Sequence, residues 1–68
     1  MDFFKELDKL LKNNQINDAR ALIEDSLEMA IKENNTALII QVLNEAIGFY
    51  RDLSEFDTSV KYAKALFN

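Results

Sequence analysis

A near absence of helix-breaking residues is the feature that most limits how this chain can fold. Its 68 residues include no proline and one glycine, Gly48. Proline removes a backbone donor, and glycine costs about 1 kcal/mol inside a helix relative to alanine. Breaks come instead from Asn13-Asn14 and Asn34-Asn35, with a third at Ser54. Asn accepts the left-handed backbone at a helix end, and Asn and Ser cap helix starts, so these residues predict turns between helices.

These breaks divide the chain into four predicted helices, over about residues 2–12, 17–33, 36–52 and 55–67. Apolar residues recur at helical spacing in each helix, and no segment alternates like a strand. In the last helix the aligned residues are Phe56, Val60, Ala63 and Phe67, and we expect the Ser54 hydroxyl to cap its start. Short connections make neighbouring helices antiparallel. The chain is therefore predicted to be a single all-α domain over residues 1–68, since one core typically serves ~100–150 residues.

The third predicted helix is apolar around most of its circumference, which is typical of a helix buried between neighbours. Its polar residues share one narrow stripe, because they are spaced by three, four and one along the helix. This stripe consists of Gln41, Asn44, Glu45, Gly48, Arg51 and Asp52. Two interpretations are open at this point, a solvated face and a binding face.

The residue types that most catalytic and metal centres need are missing. Without Cys or His, the usual zinc sites and the Ser-His and Cys-His hydrolases are excluded. A single glycine cannot build a phosphate-binding loop. The carboxylates of Glu24, Asp25 and Glu28 lack the His residues that accompany them in di-metal bundles, so a solvated face explains them better. We expect neither enzyme activity nor a cofactor or metal.

Charge narrows the class of partner. The formal net charge is -4, and the sequence isoelectric point is near 4.6, which argues against nucleic acids and anionic membranes. The N-terminal residues carry charges where a signal peptide needs an apolar run, and the longest apolar run is too short to cross a bilayer. The expectation is a soluble cytosolic protein.

The two halves of the chain contain an internal sequence repeat. The segment from Asn14 to Ala19 aligns with that from Ser54 to Ser59, at an offset of 40 residues. The second half, LNEAIGFYRDLSEFDTSVKYAKAL, resembles the tetratricopeptide repeat family. Tyr50 fills the place of the aromatic that ends the first helix of a repeat, Phe56 that of the turn aromatic, and Ser59 that of a small residue. A first repeat over about residues 2–33 fits less well than a second over about 36–67.

Some features depart from the family pattern. Ile47 stands where the family prefers a small residue, no proline closes either repeat, and the offset exceeds the ~34 residues of a tetratricopeptide repeat. An up-and-down four-helix bundle is the competing architecture. Two helices of a repeat cross closely only where side chains are small, so Ala19, Ala46 and Ser59 are expected at those crossings.

The resemblance implies four antiparallel helices as two helix–turn–helix repeats, a fragment of an α–α superhelix. The first helix of each repeat would line a concave groove that takes a peptide or a partner helix. In this chain the groove would show Phe4, Lys5, Asp8, Leu11 and Lys12 together with the polar stripe of the third helix. The candidate partner-binding residues are therefore Lys5, Lys12, Gln41, Asn44, Glu45, Gly48, Arg51 and Asp52. Alternatively, Lys5 and Lys12 pair with Glu45 and Asp52 across the groove.

Apolar residues of the last helix spread over an arc too wide for one neighbour to cover. Val60, Tyr62, Leu66 and Phe67 are the candidate self-association residues, covered by a second copy or by further repeats. Two functions follow. One is a protein–protein interaction module, alone or within a longer array. The alternative is a self-associating homodimeric bundle with a structural or regulatory role and no groove ligand.

Overall fold

The computed structural model describes residues 2–67, and within that range the chain is all-helical, with four helices and no strand. They are α1 (Phe3–Lys12), α2 (Ile16–Lys32), α3 (Thr36–Asp52) and α4 (Phe56–Phe67). Each predicted helix end lies within one residue of the observed end. No helix of the described range is both long and apolar enough to cross a membrane.

The three connections between helices have the same backbone geometry. Asn14, Asn34 and Ser54 adopt left-handed φ angles of 56°, 54° and 62°, at intervals of 20 residues. In each turn the left-handed residue donates its N–H to the carbonyl three residues earlier, and the next residue donates to the carbonyl five residues earlier. This pair of bonds satisfies carbonyls that a helix end leaves without partners. The prediction that Ser54 caps α4 is wrong, because Ser54 ends α3 as the two asparagines end α1 and α2.

Side-chain caps start two of the helices. The Asp2 carboxylate accepts hydrogen bonds from the N–H groups of Phe4 and Lys5, at 3.0 and 3.4 Å. The Asn35 side chain accepts one from Leu38 N–H at 3.2 Å at the start of α3. Asn35 therefore follows a left-handed residue and caps the next helix.

The helices pack as a flat layer in which consecutive helices run antiparallel. Across residues 2–67, backbones come close only between neighbours in the chain, and the Cα extents are 31 × 28 × 13 Å. Arg20, near the start of α2, reaches Glu55, just beyond the end of α3. Helices α1 and α3 run in the same direction, since Leu11 and Asp52 near their respective ends border one cavity.

The core lies where α2 and α3 face each other and α1. Its buried members are Phe3, Leu7, Ala19, Ile23, Val42, Ala46, Phe49 and Tyr50. The small residues predicted at close crossings, Ala19, Ala46 and Ser59, are all buried. The Ser59 hydroxyl donates to the Ile47 carbonyl of α3 at 2.9 Å, so this buried polar group is satisfied.

Helix α3 is the central helix, as predicted. Val42, Leu43, Ala46, Phe49 and Tyr50 are all buried on it. An exception is Ile40, which lies on the opposite side from Val42 and is exposed.

The side of α4 that packs against α3 is not the side formed by its aligned apolar residues, although the sequence pattern predicted that it would be. Ser59 is buried, and Tyr62 and Leu66 are half-buried. Phe56, Val60 and Phe67 are exposed. Of the four predicted self-association residues, Tyr62 and Leu66 are thus half-buried, while Val60 and Phe67 are exposed to solvent.

Candidate functional site

An open groove runs along the boundary between α1 and α3. It consists of cavities of about 390 and 270 Å³ that share Leu7, Leu11 and Glu45. A third cavity of about 460 Å³ continues it past Phe4 toward the start of α3. We call this feature the α1/α3 groove. Its lining includes Phe4, Lys5, Leu7, Asp8 and Leu11 from α1, and Gln41, Glu45, Gly48, Phe49 and Asp52 from α3; Ser26 and Met29 of α2 also border the third cavity.

The floor of the groove is apolar. Leu7 and Phe49 are buried beneath it, whereas Phe4 and Leu11 keep more than a third of their surface in solvent. Ile16 and Leu53 close the end where α1 and α3 finish. Such a floor can accept apolar side chains of another molecule, because burying exposed apolar surface is the main favourable term in association.

Gly48 lowers the floor of the groove without being required by the backbone. Its φ angle is not positive, so an L-residue can adopt the same helical conformation. A Cβ atom at this position would meet only the Arg51 Nη2 atom, at 3.9 Å, which is an ordinary contact. The missing side chain therefore leaves space that the Arg51 guanidinium borders.

The rim of the groove is mainly acidic. Lys12 Nζ lies 2.9 Å from the Asp8 carboxylate on the same helix, and this contact raises the pKa of Lys12. Arg51 Nε lies 3.9 Å from Asp52. Within residues 2–67, Glu45 takes part in no salt bridge. The predicted pairing of Lys5 and Lys12 with Glu45 and Asp52 across the groove is not found among the salt bridges of residues 2–67, in which Lys12 pairs with Asp8 on its own helix and Lys5 takes no part.

The predicted partner-binding residues divide into two groups. Lys5, Gln41, Glu45, Gly48 and Asp52 line the cavities of the groove. Lys12, Asn44 and Arg51 are exposed but do not line them. On α3, helical spacing puts Asn44 and Arg51 on the edge of the stripe away from α1.

Sequence reasoning missed a polar and aromatic cluster on the other side of the molecule. Both guanidinium Nη atoms of Arg20 bond the Glu55 carboxylate, Nη1 at 2.8 Å from Oε1 and Nη2 to Oε2. The Arg20 guanidinium also lies 5.6 Å from the Tyr50 ring centroid, and Tyr50 stacks on Tyr62 at 5.4 Å. One signal was present: Arg20 interrupts an apolar face of α2 between Ile16 and Ile23.

The cluster is a structural clamp that connects α2, α3 and α4. The hydrogen bond from Arg20 holds the pKa of Glu55 below its usual range. Burial, and next the neighbouring Tyr62, raise the pKa of the Tyr50 hydroxyl. The arrangement joins helices through a bidentate ion pair and ring stacking.

Comparisons with known proteins found no match, so the proposed function depends on the geometry of the chain. No protein-family model matches the chain, and no curated protein or solved structure matches it. Across residues 2–67, no three or more acidic side chains are grouped so that they could hold a metal ion.

Proposed function

We propose that this chain is a protein–protein interaction module that binds a peptide or partner helix in the α1/α3 groove. One observation carries the proposal: an apolar floor, open along α1 and α3, is bordered by Gln41, Glu45, Gly48 and Asp52 of the polar stripe. The stripe was identified from residue spacing alone, and the groove from the packing of two helices. Their coincidence on one surface supports the proposal.

The proposal includes two helix–turn–helix repeats of the tetratricopeptide kind. All three turns share the same hydrogen bonds at intervals of 20 residues, and the first and third are related by the 40-residue offset of the sequence repeat, which is compatible with a repeat. An up-and-down bundle would bring α1 against α4. The flat layer, with backbone contacts only between consecutive helices of the described range, supports the repeat arrangement instead.

The groove favours a partner with apolar side chains flanked by lysine or arginine. Glu45 and Asp52 lie two helical turns apart beside the exposed apolar surface of Leu11. A basic flank would pair with these carboxylates and be attracted by the overall charge of -4. The 10 residues of α1 span ~15 Å, which corresponds to about three turns of a bound helix.

Fluorescence anisotropy with a designed probe tests this proposal. The probe is a labelled amphipathic peptide of about four helical turns, with leucines on one face and lysines beside them. We expect Glu45→Lys to weaken binding by about tenfold, because it reverses a charge on the rim. Glu28→Lys is the matched control, since Glu28 is an exposed acidic residue of α2 that does not line the groove. Arg51→Glu should strengthen binding of this basic probe.

Two results would contradict the groove as the binding site. Equal weakening by Glu45→Lys and Glu28→Lys would show that the probe responds only to net charge. Undiminished binding by Leu11→Asp, which puts a charge on the exposed floor, would place the probe elsewhere on the surface.

The alternative function, a self-associating bundle without a groove ligand, is favoured by a different observation. Phe56, Val60 and Phe67 on α4 are exposed, far from the α1/α3 groove in the order of the helices. Self-association through α4 leaves the groove open, so it is compatible with partner binding.

A further inference from the structure

Helix α4 presents an apolar stripe to solvent. Phe56, Val60, Ala63 and Phe67 follow one another at intervals of four, three and four residues, so they lie on one side of the helix. Phe56 is 59% exposed, Val60 52% and Phe67 83%, and Ala63 is half-buried. We call this set the α4 stripe. Three large apolar side chains in one row are unusual on a surface that stays in water.

The internal repeat shows what this face of a helix does elsewhere in the molecule. Forty residues earlier, the equivalent positions of α2 are Ile16, Arg20, Ile23 and Leu27. Ile23 is fully buried and packs in the core beside α3, and the other three are half-buried. The corresponding face of α2 is thus covered by the next helices, whereas no helix of residues 2–67 covers the α4 stripe.

The outer face of α1 does not complement the α4 stripe. Lys9 and Lys12 are exposed there, beside Lys5 and Asp8 at the border of the groove. Stacking copies head to tail would place apolar rings against these charges and their water, which costs desolvation without gaining partners. A second α4 stripe offers an apolar surface of the same kind.

Charges beside the α4 stripe specify how two copies would pair. Asp57 and Lys64 border the same shallow depression as Val60, and neither belongs to a salt bridge within the described range. Helical spacing puts both on one edge of the stripe, ~10 Å apart along the axis, with Lys61 farther from it. A twofold axis across α4 brings Asp57 of each copy beside Lys64 of the partner subunit when the helices run antiparallel.

From this geometry we infer that the protein forms a symmetric dimer through antiparallel packing of α4 on α4. Taking ~200 Å² for a free phenylalanine side chain, Phe56 and Phe67 expose roughly 280 Å² per copy. Val60, Ala63 and the lysine stems bring the pair near the lower limit of stable interfaces, about 1,000 Å² in total. An interface of this size is at the low end of the range, where weak and transient associations lie, so we expect the dimer to be reversible.

Sedimentation velocity over a range of protein concentrations tests the dimer. We expect Val60→Lys to weaken self-association by tenfold or more, since it puts a charge at the centre of the stripe. Ile31→Lys is the matched control, because Ile31 is 56% exposed on α2 and lies outside the stripe. Circular dichroism establishes that both variants keep their helices.

Charge reversal tests the antiparallel orientation. Asp57→Lys and Lys64→Asp should each weaken the homodimer by about tenfold, since each replaces attraction with repulsion at both ends of the interface. The double variant D57K/K64D should dimerise like the original chain. Mixing the two single variants should restore association, because each then meets the opposite charge.

Three outcomes would overturn the inference. If the protein is monomeric at every concentration, the α4 stripe does not mediate self-association and would instead bind a different protein. Equal effects of Val60→Lys and Ile31→Lys would locate self-association elsewhere. Failure of D57K/K64D to recover would exclude the antiparallel pairing. The α4 stripe shares no residue with the α1/α3 groove, so either proposal can fail alone.

Discussion

At the scale of single residues, Gly48 lowers the stability of helix α3 at a position that lines the candidate site. Glycine in a helix interior loses more backbone freedom on folding than alanine does. Here neither a positive φ angle nor a close backbone contact requires it. What the glycine provides is space in the floor of the α1/α3 groove beneath the Arg51 guanidinium.

Gly48→Ala should therefore stabilise the protein by up to about 1 kcal/mol. The added methyl group meets only Arg51 Nη2, at 3.9 Å, which can move. Urea denaturation followed by circular dichroism measures the change in the free energy of unfolding. Ala21→Gly, at an exposed position of α2, should lower it by a similar amount. A loss of stability in Gly48→Ala would mean that the space is needed for packing.

Ser59 is the small residue on which the contact between α3 and α4 depends. Its hydroxyl donates to the Ile47 carbonyl at 2.9 Å in a buried position. Ser59→Ala removes one hydrogen bond and should cost about 0.5–1.5 kcal/mol. Ser59→Leu forces the two helices apart and should cost about 1–3 kcal/mol or more. Thermal unfolding ranks the two variants, and a Leu variant as stable as the Ala variant would argue against close packing here.

At the scale of elements, one turn is used three times with different residues. Asn14 and Asn34 adopt the left-handed conformation, which asparagine tolerates better than most residues. Ser54 adopts the same conformation at φ 62° without being a preferred residue for it. The third turn is therefore the least well suited to its own geometry.

Ser54→Gly should stabilise the chain by up to about 1 kcal/mol, since glycine carries no penalty at positive φ. Ser54→Asn should act in the same direction and make the third turn like the first two. Ser54→Val is the opposing variant, because a branched side chain is strained there. The midpoints of urea unfolding give the order, and a Val variant that matches the others would contradict a left-handed Ser54.

The helix bounds could be predicted because the information is local. With no proline and one glycine, only the asparagine pairs and Ser54 could end a helix, and they do. The inward face of α4 could not be predicted, since its apolar residues outnumber the places against α3. Ser59 and Tyr62 occupy that face because Ser59 donates a hydrogen bond to the Ile47 carbonyl and Tyr62 stacks on the Tyr50 ring.

The candidate site was predictable in part for the same reason. Spacing along α3 identified the stripe, because helical periodicity is regular. It could not show that Asn44 and Arg51 lie on the edge away from α1, which depends on where α1 packs. The ion pair of Arg20 with Glu55 spans 35 residues and follows no local pattern. Only the interruption of an apolar face by Arg20 pointed to it.

At the scale of the whole molecule, the Arg20–Glu55 pair connects distant parts of a thin layer. It joins the start of α2 to the turn between α3 and α4. Because the fold is only 13 Å deep in its Cα positions, few buried contacts hold α4 to the rest of the chain besides its own partner helix. The pair supplements them at one end.

This pair makes stability depend on pH in the acid range. The pKa of Glu55 is lowered in the folded state from its usual 4.5, so the contribution is complete above about pH 4.5 and is lost as the pH falls through the folded-state value. Glu55→Gln should therefore destabilise the protein at pH 7 but much less at pH 3. Urea unfolding at both pH values measures this, with Glu28→Gln as a control of equal charge change. A Glu55→Gln effect independent of pH would contradict the ionic role.

The order of backbone contacts bears on folding during synthesis as well as on the folded structure. Each helix of the described range meets the backbone of the one synthesised just before it. At ~5–20 residues per second on the ribosome, a further unit of 20 residues emerges every few seconds. Helix formation and docking take far less time. Each new helix can therefore pack against the segment synthesised just before it, so contacts of this protein can form while synthesis continues.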